Sequence, residues 1–380
     1  MIPDAPPKSE APLLRGGVGE ESLRVLFRAS NRKQKPMSKL RTAIIGCGSI
    51  ARHRHAPEYA SHPDVEIAGF TDRHPGRAQY LADQYGGRTY EDYHELIERR
   101  DIDAVSVCTD NASHASITIA ALNAGKHVLC EKPMATSDDD AAAMIDASYK
   151  SNRVVMIGLN QRLAPVHVRA RELLHSGIIG DVVTFRTSFS HPGPEGWSID
   201  GAQSWFFRKS EAFVGSMGDL GVHKADLLLW LLGEDIVQVS AFVDQLSKPF
   251  GDVDDNAVCL MRTRSGAIGT MTASWTHNPG EDNATIIYGT KGIIRIGSDP
   301  KFPLQINLAT GENQMYQISS LQSNAAGGQS DTGIVRAFVN AVLTGAKPDI
   351  SGEEGRRALA VVLACLESSE TGRHVNVRYA

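Results

Sequence analysis

The first apolar run that reads as a strand lies at residues 41–45 and breaks at Gly46, and from there to about residue 160 short β-rich apolar runs alternate with helical segments. Strands are predicted over residues 41–45, 65–71, 104–108, 127–130 and 154–158. Helices are predicted over 113–124, closed by Gly125, and over 137–150, opened by the polar Thr136-Ser137 and the acidic Asp138, Asp139 and Asp140. These are the residue types that satisfy helix ends. Alternation of this kind marks a parallel, doubly wound sheet built from βαβ units.

After about Gln161 the rhythm changes. A helix over 164–176 and a strand over 182–191 lead into a long loop rich in Pro, Gly and Trp, followed by a helix over 220–232. Strands then follow one another at 236–246, 256–264, 267–276, 284–289, 293–296 and 304–308, with turns such as Ser265-Gly266 between them. That succession is the pattern of an antiparallel sheet. Two helices close the chain at 333–343 and 352–369, and Ser351 with Glu354 has the spacing of a capping box. The fold class is α/β: a doubly wound parallel sheet over 39–160, then an α+β domain over 161–380 on an open, mainly antiparallel sheet. The last helices of that domain are free to pack back on the first one. Residues 1–38 hold a Pro-rich opening, a Gly-Gly pair, a short apolar patch and the bases Arg24, Arg28, Arg32, Lys33 and Lys35. They read as a flexible tail, with a targeting peptide or an oligomer contact as alternatives and Met37 as an alternative start.

A length of 380 residues suits two domains that each bury a core. The net charge of -5 offers no basic field to a phosphate backbone, so nucleic acid is not an expected partner. Cys47, Cys108, Cys130, Cys259 and Cys365 are scattered, with no Cys-x-x-Cys pair to hold zinc, and read as buried thiols in a reducing compartment. No stretch approaches the roughly 18 apolar residues that cross a bilayer, and the N-terminus lacks the apolar core of a secretory signal. The expectation is a cytoplasmic protein with no metal and no membrane partner.

Gly46-Cys47-Gly48-Ser49-Ile50-Ala51 follows a strand and opens a helix, in the form G-x-G-x-x-A. Gly46 permits the tight turn, Gly48 lets a pyrophosphate approach the backbone, and Ala51 allows close helix packing. Asp72, at the end of the second strand, stands where an acid binds the ribose diol of a dinucleotide. A carboxylate there repels a 2′-phosphate, which favours NAD; Arg73 beside it keeps NADP open. The alternative is a glycine turn that meets no nucleotide.

Glu131-Lys132-Pro133 stands at the C-terminal end of a strand, the edge where open sheets bind ligands. A lysine there can touch a substrate hydroxyl and stabilise charge on oxygen, or simply face solvent before a proline turn. Asp219 and His223 are four apart at a helix start, with Asp226 a turn on. Histidine is the natural proton acceptor near neutral pH, and a carboxylate beside it would hold its tautomer. Two bland readings stay open: a structural histidine with Asp219 as an N-cap, or a metal site formed by Asp219, His223 and Asp226.

In order and spacing these elements, with Gly218-Asp219-Leu220-Gly221-Val222-His223, resemble the Gfo/Idh/MocA family over roughly residues 40–375. The resemblance implies a Rossmann domain, NAD as cofactor, and a C-terminal sheet that packs against another subunit in a homodimer or homotetramer. It implies that Lys132 polarises the substrate hydroxyl, His223 is the general acid/base, and Asp219 orients or partners His223. Thr109-Asp110-Asn111, with Ser113 and His114, looks like the family's T-P-N-x-x-H segment, with Asp110 in place of proline. By the same carry-over the cofactor contacts are Gly46, Gly48, Ser49, Ile50, Asp72, Arg73, Thr109, Asn111, His114, Glu131, Lys132 and Arg162. The substrate contacts are Lys132, Arg162, Trp205, Asp219 and His223, with Arg208 near them, while His191 and Trp197 are expected in a surface loop, a reach into the same cleft being the alternative. The implied reaction is hydride transfer at a secondary hydroxyl carbon of a sugar or polyol, such as an inositol, an aldose, a keto-sugar or an anhydro-sugar. A redox-neutral NAD-dependent glycosidase and a non-catalytic sensor of the same fold are the alternatives, as is a reductase of a non-sugar substrate.

Overall fold

The computed structural model describes residues 39–320 and 331–379. The tail expected over 1–38 lies outside these residues.

Six strands, β1 (Leu40–Ile45), β2 (Val65–Thr71), β3 (Arg88–Tyr90), β4 (Ala104–Val107), β5 (His127–Cys130) and β6 (Val155–Ile157), form a parallel sheet in the order β3-β2-β1-β4-β5-β6. Its direction of winding reverses between β1 and β4, and a crevice opens at the C-terminal ends of those strands. β3 was not among the predicted strands, because an exposed three-residue Arg-Thr-Tyr segment has no apolar period to read. The same holds for the helices Pro75–Tyr85 and Tyr93–Ile97.

The second sheet has nine strands: β7 (Val182–Ser190), β8 (Ile236–Asp244), β9 (Asn256–Thr263), β10 (Ile268–Ser274), β11 (Thr285–Gly289), β12 (Gly292–Ile296), β13 (Leu304–Leu308), β14 (Asn313–Tyr316) and β15 (Val375–Asn376). Their order is β14-β13-β12-β11-β7-β10-β9-β8-β15, antiparallel throughout except between β7 and β10. Against its inner face lies the helix Val222–Leu232, buried on nearly every side: residues 227–232 are wholly apolar, and the first turns bury His223, Lys224 and Asp226 as well. The helix Gly352–Thr371 packs on that helix, on β8 and on the helix Asp138–Ser151, so it touches both halves of the chain. The helix Ile334–Thr344 packs on Ala56–Ser61, where the Glu58 carboxylate accepts from the backbone of Thr332 and Val335 at its start. The capping box expected at Ser351 and Glu354 does not form. Ser351 instead donates to Glu353, and Glu354 is drawn away by Arg162 at 2.7 Å.

Gly46 has φ +89°, and a Cβ there would lie 2.6 Å from the Cys108 carbonyl oxygen. The turn between β1 and its helix is therefore closed to any side chain. Gly46→Ala should lower the unfolding free energy by about 2 kcal/mol or more, to be read from urea denaturation; an unchanged midpoint would contradict this account of the turn.

Candidate active site

The crevice is built outward from Asp72. Its Oδ2 accepts from Cys47 N and its Oδ1 from His74 N, both at 2.7 Å, so the carboxylate is fixed against the glycine turn. At Gly48 a Cβ would meet no sequence-distant atom of the described residues within 4 Å. The helix that follows begins with a π-helical turn, Ala51–His55, before continuing as Ala56–Ser61. That turn buries Arg54 and His55.

His55 Nε2 lies 3.0 Å from Glu131 Oε1, and its Nδ1 lies 2.9 Å from Ser106 Oγ, which also meets the Tyr59 hydroxyl at 2.9 Å. Arg54 reaches the same Glu131 oxygen at 3.3 Å. Burial alone would raise the Glu131 carboxyl, but the His55 hydrogen bond and the Arg54 charge hold it well below the usual carboxylate range. A Cβ at Gly158 would come within 2.9 Å of that carboxyl, so the neighbouring strand end needs glycine there.

Lys132, next in sequence, reaches across the crevice. Its Nζ lies 2.6 Å from Asp219 Oδ1 and 3.1 Å from the Asp219 carbonyl. Trp275 Nε1 donates to the other carboxylate oxygen at 3.1 Å. Asp219 stands in a π-helical turn, Met217–Gly221, that runs into the helix carrying His223. Burial pushes the Asp219 carboxyl up, yet the charges of Lys132 and His191 outweigh it and hold it below the ordinary value. His223 is buried and lines the cleft, and among the described residues its Nδ1 has no partner. Burial, then the Lys132 charge, push it well below the ordinary histidine range, so the ring is neutral.

The structure brings Gly48, Ser49, Ile50, Thr109, Asn111, His114, Glu131, Lys132, Trp205, Asp219 and His223 to one cleft, which continues past Gly46, Asp72, Arg73 and Arg208. Several of them already have protein partners. Ser49 Oγ donates to the Trp197 carbonyl at 3.2 Å and accepts from Ile199 N at 2.9 Å. Asn111 donates to the Ala212 carbonyl at 2.8 Å, and His114 lies between the carbonyls of Pro133 and Thr109 at 2.8 and 3.2 Å.

Three expectations and one alternative reading are corrected. Arg162 does not wall the cleft: its guanidinium is buried against Asp226 at 2.8 Å and Glu354 at 2.7 Å. Asp226 is thereby spent on Arg162 and does not join Asp219 and His223 in a metal site. Asp219 does not partner His223, since its oxygens go to Lys132 and Trp275. His191 and Trp197 are not in a surface loop; His191 is buried within electrostatic reach of Asp219, and Trp197 lines the cleft over Ser49.

Sequence reasoning passed over Arg54, Asn160, Gln161 and Phe189, which also line the cleft, and Trp275 and His55 behind it. The Arg-His-Arg-His run at 52–55 was a visible signal, four basic or titratable residues in the first turns after the glycine motif. Trp275 carried none beyond its place at a strand end.

Two family models match the chain: an oxidoreductase family with an NAD-binding Rossmann fold over residues 40–159, and the GFO/IDH/MocA C-terminal domain over residues 167–295. The chain belongs to the Gfo/Idh/MocA family. Similar members include myo-inositol 2-dehydrogenase of Thermotoga maritima, 28% identical over 89% of this chain and 98% of that one. D-glucoside 3-dehydrogenase of Escherichia coli is 28% identical over 90% of this chain and 98% of its own. Among solved structures, levoglucosan dehydrogenase in complex with NADH and levoglucosan superimposes with a TM-score of 0.79 at 27% identity, covering 90% of this chain and 100% of that one. This Gfo/Idh/MocA protein is accordingly an NAD(H)-dependent oxidoreductase. Its crevice fits the cofactor: the open backbone at Gly48, the fixed Asp72 carboxylate and the buried His223 Nδ1 and Trp197 Nε1, unpartnered among the described residues, all border it. No helix among the described residues is long and apolar enough to cross a membrane.

Because Asp226 is 1% exposed in its side chain, removing Arg162 strands a buried carboxylate. Arg162→Met should lower the unfolding free energy by about 3–5 kcal/mol, with much of the loss recovered in Arg162→Met/Asp226→Leu. Denaturant titration of the three proteins decides it; a mild effect of the single change would mean that Arg162 does not neutralise a costly buried charge on Asp226.

Proposed function

We propose that this oxidoreductase moves hydride at a secondary hydroxyl carbon of a sugar or polyol, with Lys132 and His223 as its catalytic residues and Asp219 as the residue that positions Lys132. The observation that carries the reading is Lys132 Nζ held 2.6 Å from Asp219 in a cleft that also contains a neutral, buried His223. NAD, when bound, supplies the hydride acceptor. Gly46, Gly48 and Ile50 would hold its pyrophosphate end, and Asp72 its adenosine ribose.

Lys132, held against Asp219, donates to the substrate oxygen and stabilises the negative charge that grows there. Asp219 holds Lys132 in place rather than acting on the substrate. His223, kept neutral, accepts the hydroxyl proton on its imidazole and returns it in the reverse direction. Trp205, stacked on Phe206 with ring centroids 4.0 Å apart, gives the cleft an aromatic wall suited to a sugar ring. The relatives named for inositol, glucoside and levoglucosan support this substrate class.

The test is absorbance at 340 nm with NAD against inositols, aldoses, glucosides and anhydro-sugars. Reduction with one class supports the reading and names the substrate; no turnover by a protein that nevertheless carries NAD would favour a redox-neutral glycosidase or a sensor. On the substrate so found, His223→Ala should lower turnover about a hundredfold or more. Because the ring's folded-state ionisation lies below the ordinary value of about 6.5, the acid limb of the oxidation profile should lie below that pH; a limb at or above it would contradict a neutral, buried His223.

A second element of the proposal is association. Phe242 (84% exposed), Val258, Leu260 (60%) and Ile268 stand on the outer face of β8, β9 and β10, with Phe242 paired to Val258 across the strands. So much apolar surface on one sheet face is what a partner covers, and we assign that partner as a second copy of this chain, in a homodimer or homotetramer. Leu260→Asp should shift the native mass by light scattering towards the monomer; an unchanged oligomer would place the interface elsewhere.

A further inference from the structure

Asp72 and Arg73 are adjacent at the end of β2 and make opposite demands on an adenosine ribose. A carboxylate accepts from the diol and repels a phosphate, whereas a guanidinium attracts one. Arg73 Nη2 donates to Asp110 Oδ2 at 2.8 Å and lies 3.4 Å from Glu211 Oε1. The Asp110 side chain is 3% exposed, and its other oxygen accepts from Ser113 Oγ at 2.8 Å. Arg208, the next arginine along this end of the cleft, is likewise occupied, by Glu211 and the Gln203 carbonyl.

We propose that Asp110 is a specificity-determining residue for the cofactor, acting through Arg73. A 2′-phosphate beside Asp72 needs a cation, and Arg73 is placed to supply one only by leaving Asp110. That move strands a buried carboxylate, whose cost offsets what the phosphate gains. Held in its pair, Arg73 leaves the ribose edge with the carboxylates of Asp72, Asp110 and Glu211 around it, so NAD is accepted and NADP is rejected. Asp110 is thus a positioning residue. Its role rests on the placement of the ribose at Asp72 proposed above.

The test is fluorescence titration of NADH and NADPH on the full chain, which needs no sugar substrate. Asp110→Asn keeps the shape and the Ser113 contact while removing the charge. It should raise NADPH affinity relative to NADH about tenfold, and the gain should vanish in Asp110→Asn/Arg73→Ala. A merely structural role for Asp110 would not move this ratio or make it depend on Arg73. The proposal is overturned if Asp110→Asn leaves the ratio unchanged while Asp72→Ser shifts it, or if the gain persists without Arg73, which would mean simple loss of charge. If neither Asp72→Ser nor Asp110→Asn shifts the ratio, the ribose lies elsewhere and the proposal falls with that placement. Should the asparagine variant fail to fold, Asp110→Ser carries the same expectation.

Discussion

A carboxylate buried at Asp219 is the constraint around which the two sheets are arranged. Taking such a charge out of water costs several kcal/mol unless it is paired and hydrogen-bonded. The two partners come from opposite sides: Lys132 from the end of β5 in the parallel sheet, and Trp275 from just past β10 in the second. The charge is matched only when both halves are docked, so the interaction that closes the fold is also the one that sets Lys132 in the cleft. The same lysine charge, after burial, keeps His223 neutral.

Other buried charges around the cleft follow this logic. Glu131 is matched by His55 and Arg54, and Asp226 by Arg162. The Asp254 carboxylate accepts from Gly215 N, Met217 N and Ser216 Oγ, and so anchors the start of the turn that carries Asp219. Both π-helical turns among the described residues, Ala51–His55 and Met217–Gly221, border the cleft. A widened turn of this kind re-aims the side chains it carries, and such turns are frequent at functional sites. The spacing of Asp219 and His223 therefore does not mean what it would on a regular α-helix.

A segment of the C-terminal half completes the enclosure. Trp197 and Ile199 hold Ser49 in the glycine motif, and Asp200 pairs with Arg77 at 2.5 Å. Part of the polar surface that a local reading assigns to the cofactor is in this way committed to holding the two halves together.

What the sequence determined by itself is what short-range physics writes into it. Apolar runs of strand length marked the central strands of both sheets, and Gly46, Gly48 and Asp72 marked the crevice, because a tight turn and a strand-end acid are local requirements. β3, β14 and β15 escaped, being too short to show a period. Tertiary structure alone decided the partners of the charged residues: Arg162 with Asp226 lies 64 positions apart, His55 with Glu131 76, Asp219 with Trp275 56 and Arg73 with Asp110 37. A side chain's charge is visible in the sequence, but whether it faces the cleft or neutralises another buried charge depends on which distant segment packs beside it. That choice is made by the burial of the whole core, and no local pattern records it.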